Sequence, residues 1–422
     1  MTFRTIARCL ALIAVVAPLS AFAAAQAFDP DAATQAYLDT LKGAARAKSD
    51  AYFEGGYWLI LWGTLVAILS ELVVLRTGLS ARFRDWAERV SGRKFLQYML
   101  YALPYGIFGM VITLPWTIYT GFFRERQYDL MNQSFGAWLG EQGISFLIST
   151  VIGAIVIALV MWGISRSPKR WWMWGSGVTA AFLALIILVS PVFISPLFNT
   201  YTEMPKGPLR DRIVAMAASQ NVPAEHIYVF DQSKQHKRIS ANVSGLGPTI
   251  RISLNDNLLE RSTPDEVAAV MGHELGHYVL GHVWKLVLSF TLIFTLAFWI
   301  ASRVVPAILA RYGERWKLRG VADVAAIPVY SMVLAAFMLI TTPITKSVVR
   351  MTESEADAFG LDVARAPDGF ASAAMKLSEY RKIEPTALEE ILFYDHPSGK
   401  TRVAMSMQWK AKHLAEVEAK AK

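Results

Sequence analysis

The chain has 422 residues and a net charge of +8, with 54% hydrophobic and 18% charged residues. Together with a mean hydropathy of +0.34, this composition excludes an ordinary soluble enzyme and is typical of a polytopic membrane protein. The positive charge lies mainly in short loops between apolar segments, so it does not indicate a nucleic-acid partner. The single cysteine, Cys9, lies near the N-terminus, and a chain cleaved after it has neither disulfides nor a cysteine nucleophile.

Residues 1–27 predict a secretory signal peptide. Arg4 and Arg8 precede a short apolar stretch, and the small residues Ala21 and Ala23 follow it in the spacing of a cleavage site. The alternative is an uncleaved first membrane span.

Six further apolar segments are each long enough to cross a hydrocarbon core of about 30 Å. They lie at residues 57–75, 97–123, 144–165, 173–195, 285–310 and 323–345. These segments predict an N-terminal membrane domain with four spans over residues 28–195 and two more spans over residues 284–345.

Lysine and arginine are distributed unevenly between the loops. Thirteen of these residues lie in three loops on one side of the membrane, at 76–96, 166–172 and 311–322. Only five lie in two short segments on the other side, at 28–56 and 124–143. By the positive-inside rule the basic loops are cytoplasmic. With the leader, this predicts a protein of the bacterial inner membrane whose water-soluble parts face the periplasm.

The water-soluble parts are residues 196–283 and 346–422, which together are long enough for one compact domain. Residues 209–219 have the periodicity of an amphipathic helix. Three β-branched or alternating stretches separated by glycine-containing turns predict a small antiparallel sheet, at residues 226–230, 239–243 and 249–253.

Residues 271–282 read MGHELGHYVLGH and contain an HExxH motif. On a helix, His273 and His277 share one face at a separation that allows both to bind one zinc ion, and Glu274 lies beside the open position where water binds. Thr263 and Glu266 predict a capping box at the start of this helix. The alternative is a chance pair of histidines on an ordinary helix.

A catalytic zinc needs a third protein ligand from elsewhere in the chain. Glu353 and Asp357 are four residues apart and share a helical face, whereas Glu355 points away from it. One of the two carboxylates could bind the metal while the other orients a ligand histidine. An ordinary solvated acidic helix start is the alternative. His282 is rotated off the ligand face and is interpreted as interfacial or structural.

The HELGH motif is followed by Arg350, Glu353, Ala356 and Asp357 in the pattern R-x-x-E-x-x-A-D, and later by Asp-His-Pro at 395–397. In these residues the chain resembles the M48 peptidases, and most of all their Ste24 branch, the type I CAAX prenyl proteases. Further similar stretches, GLSAR at 78–82, SPLFN at 195–199, and DQSK at 231–234 leading to SGLG at 244–247, extend the resemblance over roughly residues 55–405.

The resemblance implies a set of site residues. His273, His277 and Glu353 would bind one Zn²⁺, Glu274 would be the general base, and Asp357 would orient a ligand. His396 would contact the substrate or its oxyanion; it precedes a proline that forces it out of helical conformation and into a turn.

The family's Asn-Ala pair before Gly-x-Gly is absent, because the chain has Ser240 followed by Ala241, Asn242 and Val243. These last three residues are the candidates for substrate binding, since a strand beside a zinc cleft can pair with an extended peptide. An ordinary sheet strand is the alternative.

The sequence therefore predicts a polytopic α-helical membrane protein with a zincin-like α+β catalytic domain. Zinc would lower the pKa of a bound water to about 7, and Glu274 would carry the proton to the leaving amine. The predicted partners are a peptide or protein substrate and the lipid bilayer; no feature indicates an oligomeric state. Processing of prenylated C-termini, quality control of envelope proteins and metal transport without hydrolysis are the alternative functions.

Overall fold

The membrane half of the chain is a bundle of long helices in this computed structural model, which describes residues 28–245 and 249–421. The predicted signal peptide lies outside the described residues. Within the described residues, five helices are long and apolar enough to cross a membrane, namely α2 (Gly43–Arg76), α4 (Lys94–Gln127), α5 (Phe135–Arg166), α6 (Trp171–Leu197) and α10 (His282–Tyr312). They contain the first five predicted spans. Short α1 (Pro30–Leu38) precedes this bundle, and α3 (Leu79–Val90) lies between α2 and α4.

The sixth predicted span, 323–345, is two helices rather than one. α11 (Ile327–Ile340) and α12 (Thr342–Ala364) meet at Thr341, and the axes of the two apolar segments differ by 59°. Pro343 lies in the first turn of α12, where the N–H that proline lacks would have no partner within the helix. In the interior of one continuous helix the same proline would remove a hydrogen bond and clash with the preceding turn. The bend directs the acidic half of α12 out of the bundle.

α2 is longer than the bilayer is thick. Its 34 residues span about 51 Å at ~1.5 Å per residue, against a hydrocarbon core of about 30 Å. Its first turns therefore lie beside the water-soluble part, where Arg46 donates to Glu384 at 2.6 Å and Ser49 donates to the carbonyl of Ser378 at 2.6 Å.

The water-soluble part contains a four-stranded sheet in the order β1-β2-β4-β3. The strands are β1 (Tyr201–Glu203), β2 (Ile227–Phe230), β3 (Ala241–Ser244) and β4 (Arg251–Asn255). β1 pairs antiparallel with β2 and β3 antiparallel with β4, but β2 and β4 are parallel.

The sheet is thus mixed, and the prediction of an antiparallel sheet was wrong. The chain leaves β2, crosses to the outer edge as β3 and returns as β4 in between. Two asparagine side chains hold this crossover. Asn255 Nδ2 donates to the carbonyl of Arg238 at 2.7 Å, and Asn257 Nδ2 donates to that of His236 at 2.6 Å. The alternation of residues within each strand does not reveal these contacts.

Helices surround this sheet and complete the domain. In chain order they are α7 (Pro208–Ser219), α8 (Asp256–Arg261), α9 (Pro264–Val279), α13 (Pro367–Leu377), α14 (Ala387–Phe393), α15 (Gly399–Lys412) and α16 (Leu414–Ala421). The main core lies between the sheet, α7 and α9, with Ile213, Ile252, Leu254, Met271 and Leu275 fully buried. α7 confirms the predicted amphipathic helix.

α9 and α12 cross at glycines. A Cβ on Gly360 would lie 2.7 Å from the backbone nitrogen of His273, and one on Gly272 would lie 2.7 Å from the carbonyl oxygen of Gly360. Neither helix could approach so closely with a larger residue at these positions. This contact brings the HExxH helix against the acidic segment of α12.

Candidate metal and catalytic site

The helix that carries the HExxH motif begins as predicted. The Thr263 side chain accepts from the backbone N–H of Glu266, and the Glu266 carboxylate accepts from that of Thr263 at 2.7 Å, which completes a capping box. Lys376 donates to the same carboxylate at 2.6 Å. The start of α9 is therefore fixed both locally and by contact with α13.

Three side chains converge at the crossing of α9 and α12. His273 Nε2 lies 3.0 Å from His277 Nε2 and 3.2 Å from Glu353 Oε2, and His277 Nε2 lies 3.5 Å from Glu353 Oε1. Four tetrahedral ligands at ~2.0–2.1 Å from zinc are about 3.3 Å apart. The spacing of the two histidine nitrogens and the Glu353 carboxylate thus fits a shared zinc ion with one open position.

Two further observations support a cation at this place. Glu353 Oε2 is buried and accepts no well-directed hydrogen bond, as expected of an atom whose partner is an ion. Burial opposes protonation of His273, yet the nearby carboxylates of Asp357 and Glu353 raise its pKa to about 9. The carboxylates therefore make the site strongly attractive to positive charge.

Glu274 lies next to the cluster, on the wall of a cavity of about 660 Å³. Burial raises the pKa of its carboxyl group, an effect that the nearby histidines His273 and His277 oppose. A carboxyl group with a raised pKa, one residue from a metal ligand, can accept a proton from water and release it again.

Asp357 orients the first histidine. Its Oδ1 lies 2.8 Å from His273 Nδ1 and accepts from Arg402 Nη2 at 2.5 Å, and the side chain is fully buried. Burial opposes ionisation, but Arg402 and His273 hold the pKa of Asp357 below its usual value. Arg402 was missed in the sequence because it belongs to α15, 45 residues further along the chain.

The second histidine has its own partner, which the sequence analysis did not assign. His277 Nδ1 lies 2.8 Å from His282 Nδ1, and His282 Nε2 lies 3.0 Å from Glu355 Oε2. A continuous helix would rotate His282 away from His277. However, α9 ends at Val279, and Gly281 adopts φ 64° before α10 begins, so the chain turns and His282 folds back. The glycine before His282 was the available signal.

His396 is brought to the site by the turn before α15. Its Nε2 lies 3.2 Å from Glu353 Oε2, and its Nδ1 lies 2.8 Å from Asp395 Oδ1. Lys346 in turn donates to Asp395 at 2.7 Å. Burial lowers the pKa of His396. The ring is held in one orientation beside the metal cluster and lines the same cavity as Glu274.

The three candidate substrate-binding residues form most of β3. Ala241 lines the cavity, and Asn242 and Val243 follow it along the strand. β3 pairs only with β4 in the described sheet and packs beside α9. Its outer edge is therefore next to the site.

One part of the cavity lining is apolar and aromatic. Phe53, Tyr57 and Ile60 of α2 contribute to it, and Phe393 of α14 stacks on Tyr57 with ring centroids 4.0 Å apart. The cavity thus extends from the catalytic residues to the start of a membrane helix.

Comparison with known proteins identifies the family. A profile of peptidase family M48 matches residues 203–410, and a profile described as CAAX prenyl protease N-terminal, five membrane helices, matches residues 31–200. The chain belongs to the M48 peptidase family. This M48 peptidase is a membrane-embedded zinc metalloprotease of the Ste24-like branch.

Relatives agree with this assignment. This M48 peptidase is 26% identical over 365 residues to the uncharacterized metalloprotease YhfN of Bacillus subtilis, covering 86% of this chain and 85% of the relative. It is 24% identical to the human CAAX prenyl protease 1 homolog, covering 83% and 82%. The crystal structure of S. mikatae Ste24p has the same fold, with a TM-score of 0.71 at 20% identity over 89% of this chain and 94% of that one.

These findings confirm the predicted fold class, apart from the mixed sheet, and the predicted enzyme class. They do not favour the two alternatives, a transporter that binds metal without hydrolysis and a quality-control protease of the envelope.

Proposed function

We propose that His273, His277 and Glu353 hold one zinc ion per chain and that Glu274 is the general base for peptide-bond hydrolysis. The observation that carries the proposal is the convergence of the two histidine Nε2 atoms and the Glu353 carboxylate, at 3.0 to 3.5 Å from one another, with Glu274 beside them. Zinc bound there would polarise the peptide carbonyl and acidify water.

The chain's own residues would perform the proton transfers. The Glu274 carboxylate would take a proton from the attacking water as the new C–O bond forms, and would deliver it to the amine nitrogen as the C–N bond breaks. His396, held by Asp395 through Nδ1, would in its doubly protonated form donate a hydrogen bond from Nε2 to the oxyanion that develops on the carbonyl. Asp357 and His282 would keep the two histidine ligands in place.

Replacement of the base separates metal binding from catalysis. Glu274→Gln should keep one zinc per chain by elemental analysis and lower peptide cleavage about 10²–10⁴-fold by mass spectrometry. Glu260→Gln, at an exposed position on α8, is the matched control and should match the parent protein. Full turnover by Glu274→Gln would place the base elsewhere.

The third ligand has a separate test. Glu353→Ala should lose zinc during purification, because two histidines alone bind it weakly. Full zinc occupancy in this variant would remove Glu353 from the ligand set and make Glu355 the next candidate.

We further propose that the substrate is an extended peptide with an apolar group near the cleaved bond. The free edge of β3 supports main-chain pairing through Ala241, Asn242 and Val243. The apolar wall of Phe53, Tyr57 and Phe393 supports a large apolar group. The names of the relatives suggest a prenylated cysteine as this group.

Matched peptides test this substrate class. A C-terminal peptide with S-farnesyl cysteine should be cleaved at least tenfold more efficiently than its S-methyl counterpart. Tyr57→Ala should reduce that preference, whereas Trp58→Ala, which removes the neighbouring 63% exposed side chain, should preserve it. Equal kcat/KM for both peptides would show that the apolar residues do not bind the substrate's apolar group. It would not affect the proposal that the protein hydrolyses peptide bonds.

We propose that the site faces the periplasm of a bacterial inner membrane. The excess of Lys and Arg in the loops 76–96, 166–172 and 311–322 supports this orientation. Alkaline phosphatase fused after Lys422 should be active in a bacterial host, and a fusion within 311–320 should be inactive. The reverse pattern would place the site in the cytosol and make the leader an uncleaved span.

A further inference from the structure

A second large cavity lies at the end of the membrane half that is remote from the metal site. Its volume is about 890 Å³, and it is lined by the ends of α3, α4 and α5 and by the turn at 319–324. α5 shows the distance between the two sites: near its start, Glu141 accepts from Gln235 of the water-soluble part at 3.0 Å, and at its other end Arg166 lines the cavity.

The lining is strongly basic. Five basic and two acidic side chains contribute to it. Arg84 donates to Asp323 at 2.6 Å, and Arg319 donates to Glu88 at 2.8 Å, so both acidic groups are already paired. The basic charge therefore exceeds what the walls of the cavity neutralise.

Two arginines are left over. Arg93, just before α4, and Arg166, at the end of α5, both line the cavity, are exposed, and have no ion-pair partner within residues 28–245 and 249–421. Arg93 is also the N-cap of α4, whose first turn has no side-chain cap. The unpaired N–H groups of that turn add to the positive potential.

The rim of the cavity is apolar and aromatic. Trp162 is 39% exposed and Phe95 41%, and the Arg166 guanidinium lies 5.8 Å from the ring centroid of Trp162. Exposed tryptophan at the end of a membrane helix is typical of the interface between head groups and hydrocarbon. A basic cavity with an apolar rim at this depth suits a ligand that has both an anionic head and acyl chains.

We propose that this cavity binds the phosphate-containing head group of an anionic phospholipid from the leaflet remote from the catalytic domain. Arg93 and Arg166 contact the phosphate, and the acyl chains run down the bundle past Trp162 and Phe95. A free phosphate ion would contact the two arginines but would make no contact with the apolar rim.

Native mass spectrometry of the full-length protein in detergent tests the proposal. Titration with phosphatidylglycerol should give a retained lipid adduct, and phosphatidylcholine should bind at least tenfold more weakly. The double variant Arg93→Gln/Arg166→Gln should lose tenfold or more in apparent affinity for phosphatidylglycerol, and each single variant should lose part of it. Zinc content and peptide cleavage should be unchanged, which shows that the variants are folded.

The matched control is Lys169→Gln/Arg170→Gln, which removes the same charge from exposed positions on the same end of the bundle, outside the cavity. It should change phosphatidylglycerol binding less than twofold. An equal loss in both double variants would indicate general surface attraction and overturn the proposal. So would displacement of the lipid by millimolar inorganic phosphate, or equal binding of the two lipids.

Discussion

The two histidines of the metal site are supported by partners of different character. His273 is held by Asp357, a fully buried carboxylate that is itself paired with Arg402. His277 is held by His282, whose other nitrogen contacts Glu355, a half-exposed residue shared with Lys285. The first partner carries a buried charge, so we expect its loss to affect both metal affinity and folding.

Asp357→Ala should lower zinc affinity about 10–100-fold and also destabilise the fold, because it leaves the buried Arg402 without its partner at a cost of about 3–5 kcal/mol. Chelator competition measures the first effect and the thermal midpoint the second. Asp357→Asn/Arg402→Gln should recover much of the stability but not the zinc affinity. Unchanged zinc affinity in Asp357→Ala would show that Asp357 does not support the site.

His282→Ala should lower zinc affinity by about tenfold, at the lower end of the range for such partners, because Glu355 is exposed and the partner itself is uncharged. His282→Gln, which can still hydrogen-bond His277, should recover part of the loss. His226→Ala removes an exposed histidine elsewhere and should leave zinc affinity unchanged. Equal zinc affinity in the His282→Ala variant and the parent protein would limit His282 to packing.

At the level of elements, the site depends on how closely α9 approaches α12. The two helices meet at Gly272, Gly276 and Gly360, where added Cβ atoms would come within about 3 Å of the facing helix. Since ligands from both helices must lie about 3.3 Å apart, a small increase in the distance between the helices moves Glu353 away from the histidines.

Gly360→Ala should therefore destabilise the protein by about 1–3 kcal/mol, the usual cost of overpacking, and reduce zinc occupancy. Thermal unfolding and elemental analysis measure the two effects. Gly140→Ala, in α5 with no atom near the added Cβ, should be neutral or stabilising. A Gly360→Ala protein with normal stability and full zinc would show that the interface can relax.

Local signals predicted those elements that depend on neighbouring residues. The capping box of α9, the helix α7 and the first five apolar spans follow from spacing and hydropathy alone, whereas the break of the sixth at Thr341 does not. The parallel pairing of β2 with β4 could not be predicted, because Asn255 and Asn257 fix it through carbonyl groups distant in sequence. The contact of His282 with His277 could not be predicted for a related reason, because it depends on the turn at Gly281 and not on one continuous helix.

At the level of the whole molecule, the metal site brings together two parts of the chain that are separated in sequence by membrane helices. The HExxH helix and the acidic helix α12 are joined by α10 and α11, so the water-soluble part is made of two segments with membrane helices between them. A bound ion that contacts both segments should stabilise the native state over any state in which they are apart.

Removal of zinc should lower the thermal midpoint of the protein. Binding at 1,000 times the dissociation constant contributes about 4 kcal/mol, so a chelator should produce a clear shift in detergent, reversed by added zinc. The Glu353→Ala variant should show little or no shift on chelation. A shift of equal size in that variant would mean that the stabilising ion is bound elsewhere.

The separation of His273 from its partner Asp357 by 84 residues also matters while the protein is being made. At roughly 5–20 residues per second, the ribosome needs on the order of ten seconds to extend the chain from the first histidine to the residues that complete the site, and α10 and α11 must enter the bilayer in that interval. If His273, His277 and Glu353 hold the catalytic zinc, we expect no proteolytic activity from the nascent chain until the last membrane helix, α11, is in place and α12 has reached α9.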